Sequence, residues 1–137
     1  MQTFLPESTY EDSAASLDDK RLGKQRVEVL QLLNVITGKH AGWKNHPACK
    51  MWVEYRESLA WYGVLICDEW LRRGFRDTCR GKIIALVPLP VSYTFPPWYN
   101  YDFMLAHRSN LIRKFPEFYR PKWPGVPDNL PYVWPVR

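Results

Sequence analysis

The chain has 137 residues, of which 46% are apolar and 15% aromatic, and a formal net charge of +5. This length fits one domain, residues 1–137, able to bury a core without cross-links, and the apolar share excludes a disordered chain. The three cysteines have no CxxC spacing, which excludes a disulfide framework and a zinc cluster and reads as reduced thiols in a cytoplasmic protein. The start has no apolar secretory signal, and no uncharged run is long enough to span a bilayer. A positive excess is compatible with a polyanionic partner.

Residues 1–16, with Pro6 and several polar residues, read as an irregular entry. Over 17–36 the pattern turns helical: Leu22, Val29, Leu30, Leu32, Leu33 and Ile36 form one apolar side. Asp18 and Asp19 suit the first turn, and Gly38 supplies a stop. Gly23 inside the helix costs about 1 kcal/mol against Ala, so a close approach to the backbone is expected there. Residues 38–46 read as a loop that mixes basic and aromatic residues. Asn45 or His46 can cap the next helix, with Pro47 at its first position. That helix is expected to run to about Arg73, with Trp52, Tyr55, Leu59, Tyr62, Ile66 and Trp70 as a buried stripe and Gly74 as its stop. Proline density over 75–100 argues against another long helix, despite the apolar run Ile83–Val87. A shorter helix is expected over 101–115, ending before Pro116. The Pro- and aromatic-rich tail from Tyr119 onward is too apolar to stay free and is expected to wrap back over the helices.

The first long helix carries Lys20, Lys24 and Glu28 at i, i+4 and i+8, so they share one side, flanked by Arg21, Gln25 and Gln31. A carboxylate among cations suits stabilising a cationic transition state or activating a water. An ordinary solvated face with intrahelical ion pairs has the same spacing, and both readings stay open here. In the loop, Lys39, Lys44 and His46 surround Trp43, so cations can meet phosphates while the ring stacks on a base. A capping loop with an inward Trp fits equally. Arg108, Arg113, Lys114, Arg120 and Lys122 form a third basic group, which a solvated surface run would also explain.

LDDKRLGKQRVEVLQLL (17–33) resembles the first-helix segment of the bacteriophage pyrimidine-dimer DNA glycosylases, also called endonuclease V, in which L-x-D-x-x-L precedes an essential Glu. Glu28 falls on that Glu. NHPACKMWVEYRESLAWYGVLICDEWLRRGFRDT (45–78) is similar to the family's second long helix, with His46 on its His and Arg72-Arg73-Gly74-Phe75 on its close. FPEFYR (115–120) resembles a DNA-contacting stretch, with Arg120 on a Lys position. The resemblance implies an all-α, compact fold of three main helices with irregular connections. It implies duplex DNA as substrate, no cofactor, a monomer, and Glu28 and an N-terminal α-amine as the catalytic pair. The expected DNA contacts are Lys20, Arg21, Lys24, Gln25, Arg26, Gln31, Trp43, Lys44, His46 and Arg120.

The chain departs from the family at its start. The family nucleophile is the α-amine of a Thr exposed by Met removal, whereas this chain begins Met1-Gln2-Thr3. Gln2 is bulky enough for Met1 to be retained, which makes Met1 the candidate amine. Val27 stands where the family has Arg, with Arg26 one position earlier, and Gln31 replaces another Arg. Two other classes remain open: a non-catalytic nucleic-acid-binding module, and an N-glycosidic enzyme acting on another modified base or nucleotide.

Overall fold

The computed structural model describes residues 2–135 except Ala41 and Trp43, and among these it contains helices and no strand. In chain order they are α1 (Tyr10–Ser16), α2 (Asp19–Ile36), α3 (Pro47–Trp52), a 3-10 turn (Val53–Tyr55), α4 (Arg56–Arg72), α5 (Arg80–Leu86), α6 (Tyr101–Lys114) and α7 (Pro116–Tyr119). The all-α expectation holds, with α2, α4 and α6 as the three main helices. No helix among the described residues is long and apolar enough to cross a membrane.

The expected helix ends are found where the local chemistry put them. Gly38 and Gly74 have φ of +89° and +93°, the left-handed conformation that ends α2 and α4. His46 is the N-cap of α3: its Nδ1 accepts from Ala48 N at 3.0 Å, and Pro47 fills the first turn. Asn100 caps α6 by accepting from Phe103 N at 3.0 Å.

Three expectations need correction. Residues 10–16, read as irregular, form α1, because the Thr9 hydroxyl accepts from Asp12 N and Tyr10 and Ala14 bury against the core. The expected helix over 47–73 is broken by the 3-10 turn, where Tyr55 (φ −127°, ψ 40°) leaves helical geometry. The buried stripe nevertheless continues through the break: Trp52, Leu59, Tyr62 and Ile66 are all fully buried. Finally, the apolar run before the prolines forms α5, a helix of seven residues. Its start is capped from outside, since Asp77 accepts from Cys79 N at 3.1 Å and Arg80 N at 2.8 Å.

Helices α2 and α4 pack directly on each other, and α1 and α5 pack against α4. The crossing is tight at two glycines. A Cβ on Gly63 would lie 2.5 Å from Val29 Cγ1 and 3.0 Å from Ile83 Cδ1. One on Gly23 would meet the Trp70 ring at 2.9 Å, which accounts for the mid-helix glycine. Cys49, Cys67 and Cys79 are free and buried in the same core. The tail does fold back: Trp123 and Val126 are buried, and Trp123 stacks on Tyr119 with centroids 5.5 Å apart.

The first residues run extended through the core rather than over it. Residue His107 of α6 is fully buried between Phe4 and Phe103, with ring centroids 5.9 and 4.1 Å away, and its Nδ1 accepts from Leu5 N at 2.9 Å. Burial pushes its pKa down from 6.5 to about 3. Between those values the unfolded chain binds the extra proton, so this contribution to stability is complete above pH 6.5 and is lost as pH falls toward 3.

Two outcomes are expected. Acidification below pH 6.5 lowers stability by about 1.4 kcal/mol per pH unit from this residue, and His107→Gln flattens the Tm-against-pH profile. Gly63→Ala costs about 1–3 kcal/mol in urea denaturation, and combined with Val29→Ala the loss is smaller than the sum of the two.

Candidate active site

Helix α2 is fixed at its start by a buried carboxylate. Asp18 is only 5% exposed, its N–H donates to the Tyr119 hydroxyl at 2.8 Å, and that hydroxyl donates back to Asp18 Oδ1. Arg21 pairs with Asp18 at 3.2 Å and reaches the Lys114 carbonyl at 3.5 Å. The first turn of α2 is thereby tied to α7 and to the end of α6. This orients the polar face of α2, with Lys20 and Lys24 exposed and Glu28 half-buried.

Glu28 is held by the N-terminal segment. Gln2 N donates to Glu28 Oε2 at 3.3 Å, and Gln25 Nε2 donates to the same oxygen at 3.0 Å. Gln25, one turn earlier on α2, is buried and binds the segment on both sides of Thr3. Its Nε2 donates to the Gln2 carbonyl at 2.7 Å, and its Oε1 accepts from Phe4 N at 3.0 Å. Tyr62 of α4 donates to both Gln25 Oε1 (2.8 Å) and the Phe4 carbonyl (2.7 Å). Trp52 Nε1 donates to the Thr3 hydroxyl at 3.0 Å. An extended segment with no sheet partner therefore has its backbone groups satisfied by side chains of α2, α4 and α6.

Beside Glu28 opens a cleft of about 410 Å³. Lys20, Arg21, Lys24 and Glu28 form one wall, Gln2, Phe4 and Gln25 line it from the segment side, and His46, Lys114, Tyr132 and Trp134 complete it. Four cationic side chains thus share the cleft with one carboxylate. Long side chains at the rim can meet phosphates, while the carboxylate sits where a sugar between phosphates would lie. His46, besides capping α3, meets Trp134 edge-on at 5.9 Å, and burial lowers its pKa.

Of the residues singled out from the sequence, Lys20, Arg21, Lys24, Gln25, Glu28 and His46 come together here. Gln25 turns inward and is committed to protein partners. Arg26 lies elsewhere: it pairs with Asp77 at 2.6 Å and stacks over Trp70 at 4.5 Å, which joins α2 to the cap of α5. Asp77 in turn is lowered in pKa although burial raises it, because Arg26 and the α5 amides bond to its charged form. Gln31 lines a second hollow on the far side of α2, with Gly23, Val27 and Trp70, and Glu28 borders that hollow too. Lys44 is exposed in the loop. Arg120 holds the tail through the Val126 carbonyl (2.6 Å) and Asp128 (3.6 Å). Met1 and Trp43 lie outside the described residues.

Lys114, Tyr132 and Trp134 were not singled out from the sequence as site residues. The signal available was the aromatic tail expected to fold back, but no local rule gives the place where a tail lands.

Residues 1–82 match a model of the pyrimidine dimer DNA glycosylase family. No curated protein and no solved structure matches the chain. The matched stretch carries the N-terminal segment, the whole of α2 with Glu28, the His46 cap and α4. Most of the cleft therefore lies within the family's own segment, and the chain belongs to the pyrimidine dimer DNA glycosylase family.

Proposed function

We propose that the chain cleaves the glycosidic bond of a pyrimidine dimer in duplex DNA and then cuts the strand, with Glu28 as catalytic carboxylate and the Met1 α-amine as nucleophile. The observation that carries this reading is the bond from Gln2 N to Glu28 Oε2 at 3.3 Å. An α-amine heading that segment is tethered to the carboxylate by a single residue, a span of about 3.8 Å between α-carbons. The ordinary pKa of an α-amine is near ~8, so a fraction of it is neutral and nucleophilic at neutral pH. The cations of the cleft attract phosphates and disfavour a further positive charge on the amine.

In this reading the neutral amine attacks C1′ of the deoxyribose. An N–C1′ bond forms as the C1′–N1 glycosidic bond breaks, and its electron pair leaves with the base, which takes up a proton. Opening of the sugar at C1′–O4′ gives a protonated Schiff base, with a proton passing to O4′. Loss of a C2′ proton then expels the 3′ oxygen with its phosphate, and water releases the amine. Glu28 stabilises the cationic sugar in the first step and accepts the C2′ proton in the later one. Lys20 and Lys24 hold flanking phosphates at the rim. A duplex must give up a nucleotide from its stack for C1′ to come this close to the carboxylate.

Borohydride trapping on duplex DNA carrying a cyclobutane pyrimidine dimer tests this reading. An adduct mapped to Met1 is expected, with Glu28→Gln slowing glycosidic cleavage by about 10²–10⁴-fold. Cleavage without an adduct would assign Glu28 to water activation instead. Neither adduct nor cleavage would sink the dimer specificity. Lys20→Ala and Lys24→Ala should each lower the slope of log affinity against log salt concentration by about 0.9.

A further inference from the structure

The wall of the cleft opposite α2 is built by a segment outside the family-matched residues. After the buried Trp123 and Val126, the tail is tied down at three points. Arg120 donates to the Val126 carbonyl at 2.6 Å, Arg113 donates to the Asp128 carbonyl at 2.6 Å, and Leu130 N donates to the Ser109 hydroxyl at 2.9 Å. Pro131 and Pro135 bracket Tyr132-Val133-Trp134, which stiffens this stretch in extended form. In an extended chain alternate side chains share a face. Tyr132 and Trp134 accordingly turn to the cleft, while Val133 between them is exposed.

The two rings lie 5.9 Å apart at 33°, and His46 braces Trp134 edge-on. Both rings are half-buried, so each is fixed in place and still has accessible surface. Burial foremost raises the Tyr132 pKa; Arg113 and Arg21 oppose that rise and Glu28 adds to it, so the phenol lies within the field of the carboxylate. The cleft thus combines cations for phosphate, a carboxylate for the sugar carbon and a braced aromatic surface. The component of a nucleotide that such a surface takes is the base, whose π-face stacks on aromatic rings.

We propose that Tyr132 and Trp134 form the stacking wall for the pyrimidine drawn out of the duplex toward Glu28, making the tail a base-recognition element. This inference rests on the glycosylase reading of the Glu28 cleft. The tail holds the aromatic surface against a cleft whose catalytic groups come from the family-matched segment, so base preference and bond cleavage reside in different parts of the chain.

The test uses the full chain carrying Glu28→Gln to block turnover. Its affinity is measured for a duplex with a cyclobutane thymine dimer and for the same duplex with a tetrahydrofuran abasic analogue, which offers no base. Trp134→Ala is expected to cut the dimer-over-abasic preference about 5- to 150-fold, with abasic-duplex affinity within about twofold. Trp134→Phe retains most of the preference, and Tyr132→Leu reproduces part of its loss should Trp134→Ala fail to fold. A preference unchanged by these substitutions, an equal loss on both duplexes, or no preference in the parent would overturn the proposal. Glycosidic cleavage by the wild-type chain reports separately on Glu28: a Trp134-dependent preference without cleavage sinks the glycosylase reading and leaves the stacking wall standing.

Discussion

The carboxamide of Gln25 joins three parts of the molecule that are far apart in sequence. It accepts from Phe4 N and the Tyr62 hydroxyl, and donates to the Gln2 carbonyl and to Glu28. Only an amide can do all of this at one position. A carboxylate would lack the donor, and an apolar side chain would leave several buried polar groups unpaired at about 1–3 kcal/mol each. The segment that reaches Glu28 has no helix or sheet of its own, so its path depends on this residue, on His107 and on Tyr62. Without them an extended N-terminus would fray into solvent.

The same constraint explains why the core is so closely built around α2. Gly63 lets α4 approach Val29, and Gly23 makes room for Trp70. Trp70 in turn supports the Arg26 guanidinium, which holds the Asp77 cap of α5. One face of α2 is thus spent on packing, one edge on the Arg26–Asp77 pair, and the remaining face presents Lys20, Lys24 and Glu28. A helix serving three roles has little freedom to rotate, and the carboxylate inherits that rigidity.

The electrostatics of the cleft follow from which cations have internal partners. Arg21, Arg26, Arg113 and Arg120 are all engaged in ion pairs or carbonyl contacts that position helices or the tail. Lys20, Lys24 and Lys114 line the cleft as exposed ammonium groups on flexible stems. This division matches the chemistry of the two side chains. The planar guanidinium suits fixed, multidentate internal contacts, while an ammonium group remains hydrated and able to follow a phosphate.

The sequence by itself determined those features that depend on residues within a few positions of one another. These include α2, most of α4 and α6, the glycine stops at Gly38 and Gly74, the His46–Pro47 helix start, and the alignment of Lys20, Lys24 and Glu28. It also carried the resemblance that leads to the family. Short elements were harder to read: α1 and α5 are too brief to show periodicity and depend on burial and on Asp77, a cap tied to distant Arg26. Only the tertiary structure decided that Gln2 meets Glu28, that Gln25 and Arg26 turn inward from a face shared with Lys24, and that Tyr132 and Trp134 close the cleft. The physical reason is that caps and i, i+4 neighbours are fixed by helix geometry. The meeting of residue 2 with 28, or of 134 with 46, is fixed by how whole segments cross and by which buried polar groups must find partners.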